Sequence, residues 1–300
     1  YWKAFVWFNQ IKANWLYRQY VAWLKREEAS YIGIWNGKKF RQAILVLAAK
    51  SLGKNLIFFE RGPLPGYSCL DPEGVNAFSS IPKNPDFYRT RNVTSNSAPE
   101  TQIKIESDYI FVPFQVVEDS NVYMHSPWIR SMCHLYEVLE TCLKSNSNLK
   151  FVIKPHPACT ENYDDLMDKV NPNIVWETQK NTTELVEKSK AVLTINSTVG
   201  IEALMAHKKV IVLGDALYGF EPLVSLATSQ NELNDLLKKI DTLQVEHQLI
   251  DQFLDYLKTD YAIPEDAMQN PGRNHWRKVE EKLKRILNNQ PGLALGLSKE

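Results

Sequence analysis

The 300-residue sequence predicts an α/β fold with largely parallel sheets. Three observations carry this. Short, continuously apolar runs recur along the chain, where a half-solvated sheet would show strict alternation. Helical patterns lie between most of these runs, the rhythm of β–α–β units. The length is enough for about two domains, each burying its own core.

Taken in order, strands are predicted at 31–35 (YIGIW), 55–60 (NLIFFE), 109–116 (YIFVPFQV), 150–155 (KFVIKP), 173–177 (NIVWE), 191–196 (AVLTIN) and 209–214 (KVIVLG). Helices are predicted at 38–52, 126–146, 161–170, 182–189, 199–207, 230–241, 246–258 and 274–288. The stretch 64–106 breaks the rhythm with prolines, Ser, Asn and Thr, and a loop of that length is usually functional or mobile. The second β–α series starts near Ser126. The domains are therefore placed at 1–125 and 126–262, followed at 263–300 by a linker, a helix and a frayed tail.

The opening segment is helical and holds four tryptophans in its first 23 residues. Its apolar side chains spread almost all round the helix, with Lys and Arg interspersed. A membrane-surface helix gathers them on one face, so burial between two protein layers is expected, with peripheral membrane contact the alternative.

Composition narrows the function. Lys plus Arg and Asp plus Glu are both 35, giving net charge zero, without the basic footprint of a nucleic-acid binder. The longest clean apolar run, AILVLAA, is far short of a membrane span. Four cysteines without C-x-x-C spacing point to a reducing compartment, the cytoplasm, rather than a disulfide framework. The histidines show no zinc-type pairing, and the N-x-S/T matches at Asn92, Asn181 and Asn196 are read as chance. The chain opens at Tyr1, not Met, and is expected to belong to something longer, with further modules.

In open α/β sheets, ligands bind beyond the carboxyl ends of the strands, so chemistry is expected at those ends. The first is followed by Asn36, Gly37, Lys38 and Arg41, a basic loop suited to an anion but too short between glycines for a phosphate loop. A solvated turn is the plain alternative. The second ends in Glu60, a carboxylate leaving a buried strand and hence an acid/base candidate; an ion pair with Arg61 is the structural alternative. The third leads into Gln115, Glu118 and Asp119, and a carboxylate facing Glu60 across a cleft is what glycosyl chemistry requires.

The fourth ends in K-P-H-P, where Lys154 and His156 can donate to a phosphate. After the strand at 191–196, Ser197 and Thr198 are placed to cap a helix whose free N–H groups would hold an anion, with Glu202 one turn in and able to reach ribose hydroxyls. Ser126-Pro127 is read the same way at the start of its helix.

Together these strings resemble a family. S-T-x-G-x-E-A-L-x-x-x-K-x-V-I-x-L-G is similar to the nucleotide-binding half of a GT-B glycosyltransferase. E-R-G-x-L-P-G, Q-x-x-x-D, K-P-H-P and N-S-T-V-G-I-E-A-L, in this order from about Ile32 to Gly219, resemble the bacterial capsular-polysaccharide β-Kdo transferases. The resemblance implies two Rossmann-like domains facing a central cleft, CMP-β-Kdo as donor, and transfer with retention to a glycan or glycolipid of capsule or O-antigen. It places the work in the cytoplasm, with the inner face of the bacterial inner membrane as a site of peripheral contact.

Within that resemblance Asp119 maps to the nucleophile, Glu60 to the acidic residue before glycine, and His156 to the HP histidine. Lys154, Ser197, Thr198 and Glu202 fall on the nucleotide side, with Asn36, Gly37, Arg41, Gln115 and Ser126 toward substrate. One departure matters: where relatives often carry E-D-G, this chain has Glu60-Arg61-Gly62, so Glu60 acts alone. No D-x-D occurs, and neither a metal nor a cofactor is expected beyond the donor substrate. Two alternatives stand beside this reading: another GT-B enzyme, such as an inverting CMP-sialic acid sialyltransferase, and a non-catalytic capsule export or scaffold protein.

Overall fold

The computed structural model describes residues 2–93, 108–116, 120–269 and 271–288. It separates into two compact units, Tyr1–Ser80 with Asp260–Glu300, and Ile81–Thr259.

The first unit opens with α1 (Trp2–Arg26), followed by β1 (Tyr31–Trp35), α2 (Phe40–Ser51), β2 (Asn55–Arg61) and β3 (Tyr67–Asp71). In the second unit come α3 (Pro85–Arg89), β4 (Ile110–Pro113), α4 (Ser120–His125), α5 (Met132–Ser145), β5 (Phe151–Lys154), α6 (Asp164–Met167) and β6 (Ile174–Trp176). Its second half is α7 (Thr182–Lys188), β7 (Ala191–Thr194), α8 (Val199–Met205), β8 (Lys209–Val212), β9 (Ser225–Leu226), α9 (Gln230–Lys238) and α10 (His247–Tyr256). The chain then returns to the first unit with β10 (Ala262–Pro264) and α11 (Arg273–Asn288).

The second unit's sheet has the order β6-β5-β4-β7-β8-β9, every pair parallel. Its central strands, β4, β7 and most of β8, are buried on both faces, which is why they read as unbroken apolar runs. The core gathers Ile110, Val112, Phe151, Ile153, Leu193 and Ile211 from the sheet with Leu135, Leu139 and Leu233 from the helices. The first unit's sheet, β1-β2-β3-β10, is mixed: β1 and β2 run parallel, while β3 is antiparallel to both β2 and β10. Val279, Leu283 and Ile286 of α11 cover Ile57, Leu70 and Ile263 on one face of that sheet.

The domain boundary differs from the expected 125–126. IFVP at β4 is a central strand of the second sheet, flanked by β5 and β7, so the division falls at 80–81. The expected second boundary, at 262–263, also moves. Ala262–Pro264 pairs with Tyr67–Cys69, which takes everything from Asp260 back to the first unit. The expected tail lies largely outside the described residues.

The stretch 64–106, expected as a loop, contains β3, a 3-10 turn and α3 among its described residues. Asp71 organises it. This buried carboxylate accepts from the N–H groups of Glu73 (2.8 Å), Gly74 (3.1 Å) and Ser80 (2.8 Å) and from the Tyr261 hydroxyl (3.0 Å). Five residues, Tyr67–Asp71, are too few to announce β3 beside so many prolines.

The expected burial of α1 is corrected as well. The helix buries Leu16 and Leu24 and packs against α2, but Trp7, Phe8, Ile11 and Trp15 are exposed. The all-round apolar pattern arises because the helix has two apolar faces, and only one is covered within the first unit.

Candidate functional site

The strand order of the second unit reverses between β4 and β7, and it is outside the carboxyl ends of such a pair that an open α/β sheet opens a binding crevice. Two amides occupy this point. Gln115, two residues past β4, donates from Nε2 to Asn196 Oδ1 (3.0 Å), and its Oε1 accepts from the Asn196 backbone N–H (3.3 Å). Asn196 Nδ2 donates in turn to the carbonyls of Asn121 (2.9 Å) and His125 (3.4 Å), tying α4 to the end of β7. Both side chains are buried. Gln115, expected to touch substrate, has its amide engaged by Asn196.

The turn into α8 is fixed just as closely. The Ser197 N–H donates to Thr194 Oγ1 (3.2 Å), Ser197 Oγ accepts from the Val199 N–H (3.2 Å), and the buried Tyr218 hydroxyl donates to the Ser197 carbonyl. A Cβ on Gly200 would lie 2.1 Å from that hydroxyl, so the glycine is required by the tyrosine's approach. Capping therefore belongs to Ser197; the Thr198 hydroxyl makes no cap bond. Glu202 lies one turn into α8, half-buried, and burial pushes its carboxyl above the usual range. No hydrogen bond or ion pair joins that carboxyl to a described residue.

At the end of β5, Lys154 is half-buried and His156 exposed. The Ala158 N–H donates to His156 Nδ1 (3.1 Å), so in the neutral ring the proton sits on Nε2, where it can be offered to a ligand. Lys154 also acts on Glu177, whose carboxyl lies below its usual range, chiefly because the Gln179 and Lys180 N–H groups donate to it. The cap expected at Ser126 is found five residues on: Ser131 Oγ accepts from the His134 N–H at the head of α5. Ser126 Oγ donates instead to the Ile129 carbonyl (2.6 Å), closing a turn that spaces α4 from α5.

In the first unit, β1 and β2 run parallel in register, with Trp35 opposite Phe59. Asn36 and Gly37 consequently emerge beside Glu60. Both turn residues have left-handed backbones, φ 60° and 79°, conformations that Asn and Gly tolerate best. A Cβ on Gly37 would also meet the Phe58 ring at 2.6 Å.

Asn36 Nδ2 donates to Glu60 Oε2, the Arg61 N–H donates to Glu60 Oε1 (2.9 Å), and Asn36 Oδ1 accepts from the Lys38 N–H (3.1 Å). The alternative role for Glu60 as an ion-pair partner of Arg61 is not the one seen, because the Arg61 guanidinium reaches Asp266 (3.5 Å). Lys38 Nζ lies over the Phe78 ring (5.7 Å), and Arg41 is exposed in the first turn of α2.

Glu60 also lines a mainly apolar cavity of about 270 Å³ with Trp35, Phe59, His275 and Trp276. His275 is buried and donates from Nδ1 to the Pro264 carbonyl (2.7 Å). Its presence beside Glu60 was not legible from spacing, because it follows from the return of the chain through β10 and α11. Glu118 and Asp119 lie outside the described residues, so the expected carboxylate pair is described on one side alone. All four cysteines are free thiols, and burial pushes Cys69 up to about 12 and Cys142 up to about 11.

Comparison with known proteins agrees with this architecture. The model of the family described as capsule polysaccharide biosynthesis protein matches residues 89–263. The chain is 31% identical over 286 residues to protein FixF of Sinorhizobium fredii (strain NBRC 101917 / NGR234), covering 89% of this chain and 69% of that one. It is 26% identical over 251 residues to the capsule polysaccharide export protein KpsS of Escherichia coli, covering 58% of this chain and 64% of KpsS.

Among solved structures, the β-Kdo 2,7 transferase of Thermosulfurimonas dismutans KpsC superposes with a TM-score of 0.57 at 18% identity, over 90% of each chain. The β-Kdo 2,4 transferase of the same protein gives 0.50 at 16%, over 75% of this chain and 78% of that one. At these identities the likeness is one of fold, a GT-B-like fold with two α/β units. With more than half its length matched by the family model, the chain belongs to the capsule polysaccharide biosynthesis protein family.

Proposed function

We propose that the protein transfers Kdo from CMP-β-Kdo to a hydroxyl of a glycan or glycolipid, with retention at the anomeric carbon, in bacterial surface-polysaccharide synthesis. One observation carries the reading. Around the reversal point of the second sheet, the inner amides bond one another, while Lys154, the His156 Nε2–H and the Glu202 carboxylate make no hydrogen bond to a described residue. A cation and an imidazole donor suit a phosphate, and a carboxylate acceptor suits ribose hydroxyls. Ser197, Thr198 and the α8 N-terminus complete the nucleotide side, and no metal is assigned a role.

Asp119 attacks the anomeric carbon, and the bond to phosphate breaks with its electron pair leaving on CMP, whose charge His156 and Lys154 stabilise. Glu60 then takes the proton of the acceptor hydroxyl as that oxygen displaces Asp119. Asn36 holds the Glu60 carboxylate from one side, and Gly37, Lys38 and Arg41 line the same loop for the acceptor. The setting proposed is the cytoplasm, where nucleotide-activated donors are made.

Glu60→Gln exposed to CMP-Kdo should gain the mass of one Kdo, mapped by peptide analysis to Asp119, because forming the adduct needs no base. Asp119→Asn should show neither adduct nor turnover. An inverted product from the wild-type chain overturns the double displacement. The name of KpsS as an export protein keeps a non-catalytic role in view; absence of CMP binding by calorimetry would favour it.

A further inference from the structure

We infer that His207 and His247 share one proton and act as an acid-released clasp between α8 and α10. His207 Nδ1 lies 2.9 Å from His247 Nδ1, and His207 Nε2 lies 3.2 Å from Asp251 Oδ1. His247 opens α10 and Asp251 follows it by four residues, so both stand on one face of that helix. His207 comes from the other side, just past the end of α8. Its left-handed backbone, φ 50°, closes that helix with its N–H on the Leu204 carbonyl (2.8 Å). Glycine makes such a turn at less cost; what histidine adds is the reach to α10.

The proton count decides what this contact can be. Two ring nitrogens this close need one hydrogen between them. In the uncharged pair, His207 gives its Nε2–H to Asp251 and accepts from His247 at Nδ1. With one added proton, His207 donates from both nitrogens and His247 accepts. A second added proton sets N–H against N–H and charge against like charge, and the contact opens. The single charge belongs on His207, which faces Asp251, because His247 sits in the first turn of α10, where a helix disfavours a cation.

The other charges on the elements packed against the pair are engaged elsewhere. Glu246 of α10 and Asp86 of α3 share Arg89 (3.0 and 3.1 Å), and Lys188 of α7 holds Glu184 (3.1 Å). Lys208 and Lys209, after α8, donate to the carbonyls of Glu187 and Ile240. The carboxylates of Glu187 on α7, Glu202 on α8 and the buried Asp255 on α10 bond neither imidazole. Tyr218 fixes the head of α8 through the Ser197 carbonyl, and the clasp fixes its foot. Acid therefore loosens the helix that carries Glu202. The clasp itself does not depend on the proposed reaction.

The test is a titration of the full 300-residue chain from about pH 8 to 5, the range in which imidazoles change charge. It is read by nitrogen-15 NMR of the histidine rings and by thermal melting. In the parent, the two rings should take up protons in two steps about one pH unit apart or more, as a coupled pair does. His247→Gln, whose amide both donates and accepts, keeps the bond without the second charge, so His207 should titrate in a single step. Between about pH 6.5 and 5, the parent should lose about 3 °C more in melting temperature than His247→Gln. Over the same interval, amide exchange in α8, corrected for intrinsic rate, should quicken about fivefold more in the parent. His247→Ala, which breaks the bond at every pH, should melt below the parent at the upper value and level with it at the lower. His247 is exposed, so neither change disturbs packing. Two rings that titrate independently, with a His207 curve unchanged by His247→Gln, overturn the clasp. So does an equal loss of melting temperature in the parent and both variants.

Discussion

The strand ends of the two units solve different problems. In the second unit, the polar atoms at the sheet's reversal point are bonded to one another: Gln115 to Asn196, Asn196 to the carbonyls of α4, and Tyr218 to the turn before α8. In the first unit, a half-buried carboxylate stands at the end of β2 with one side-chain donor, Asn36, and a cavity beside it. The first arrangement is a scaffold that presents groups lying further out. The second leaves a carboxylate beside a cavity, the group to which the proposed reaction gives the acid/base role. A residue's value at an α/β edge therefore depends on whether its polar atoms are already satisfied, and strand-end position alone does not tell the two apart.

The largest effect is expected where the scaffold is cut. Asn196→Ala removes the three bonds its amide makes, to Gln115 Nε2 and to the carbonyls of Asn121 and His125. At about 1 kcal/mol for each hydrogen bond lost, chemical denaturation should show a loss of roughly 3 kcal/mol, with CMP binding falling as the α8 turn loosens. A loss below about 1 kcal/mol would mean that the amide pair is not what holds this edge.

Much of the fold was legible because burial on both faces writes a parallel strand into the sequence as an apolar run. YIGIW matches β1 residue for residue, β2 is NLIFFE extended by Arg61, and the cores of KFVIKP and AVLTIN are β5 and β7. β3 and β10 were not legible: they are short, and they pair with each other across most of the chain, Ser68 opposite Ile263. The division at 80–81 was not legible either, because it depends on IFVP pairing with β5 and β7 further along the chain. Glu60, Lys154, His156, Ser197 and Glu202 lie at the strand and helix ends where their spacing placed them. The engagement of Gln115 by Asn196, and of Arg61 by Asp266 rather than Glu60, depends on side-chain directions that no spacing encodes.

A charge concealed in the first unit gives the next prediction. Burial pushes the Lys282 ammonium on α11 down to about 8, against the opposing pull of Cys69 and Asp71. Its Nζ lies 4.4 Å over the Tyr261 ring and donates to the Tyr261 carbonyl. Because the folded value lies below the unfolded one of about 10.4, the unfolded chain binds more protons between the two. Stability at this site is therefore lowest below about pH 8 and rises toward pH 10, by on the order of 2–3 kcal/mol. Cys69, at about 12, keeps its proton across that window. Lys282→Met should be the more stable form at pH 7 and should lose that rise; parallel pH–stability curves for variant and parent would refute the assignment.

His156 separates presenting groups from scaffold. It is exposed and receives one backbone N–H, so His156→Ala should leave the melting temperature within about 2 °C. CMP affinity should nevertheless fall by about 1.5–3 kcal/mol, the range for a hydrogen bond to a charged group. Unchanged affinity by calorimetry would remove His156 from the nucleotide side, and Lys154 would then have to hold the phosphate alone.

The smallest effect, and the sharpest probe of the first unit, is at Asn36. The residue does two things: its amide steadies Glu60, and its backbone turns through φ 60° at the end of β1. Two substitutions pull these apart. Asn36→Gly removes the amide but keeps the left-handed turn at no steric cost. Asn36→Ala removes the same amide and adds the penalty of a Cβ in that region, about 1 kcal/mol. The glycine variant should therefore lie within about 1 kcal/mol of the parent in denaturant, with the alanine variant about 1 kcal/mol below it. Turnover should fall to the same extent in both, with CMP affinity unchanged, because the lost group acts on Glu60 and not on the nucleotide. If turnover instead tracks stability, falling further in alanine than in glycine, Asn36 serves the turn alone, and Glu60 is held by the Arg61 N–H without it.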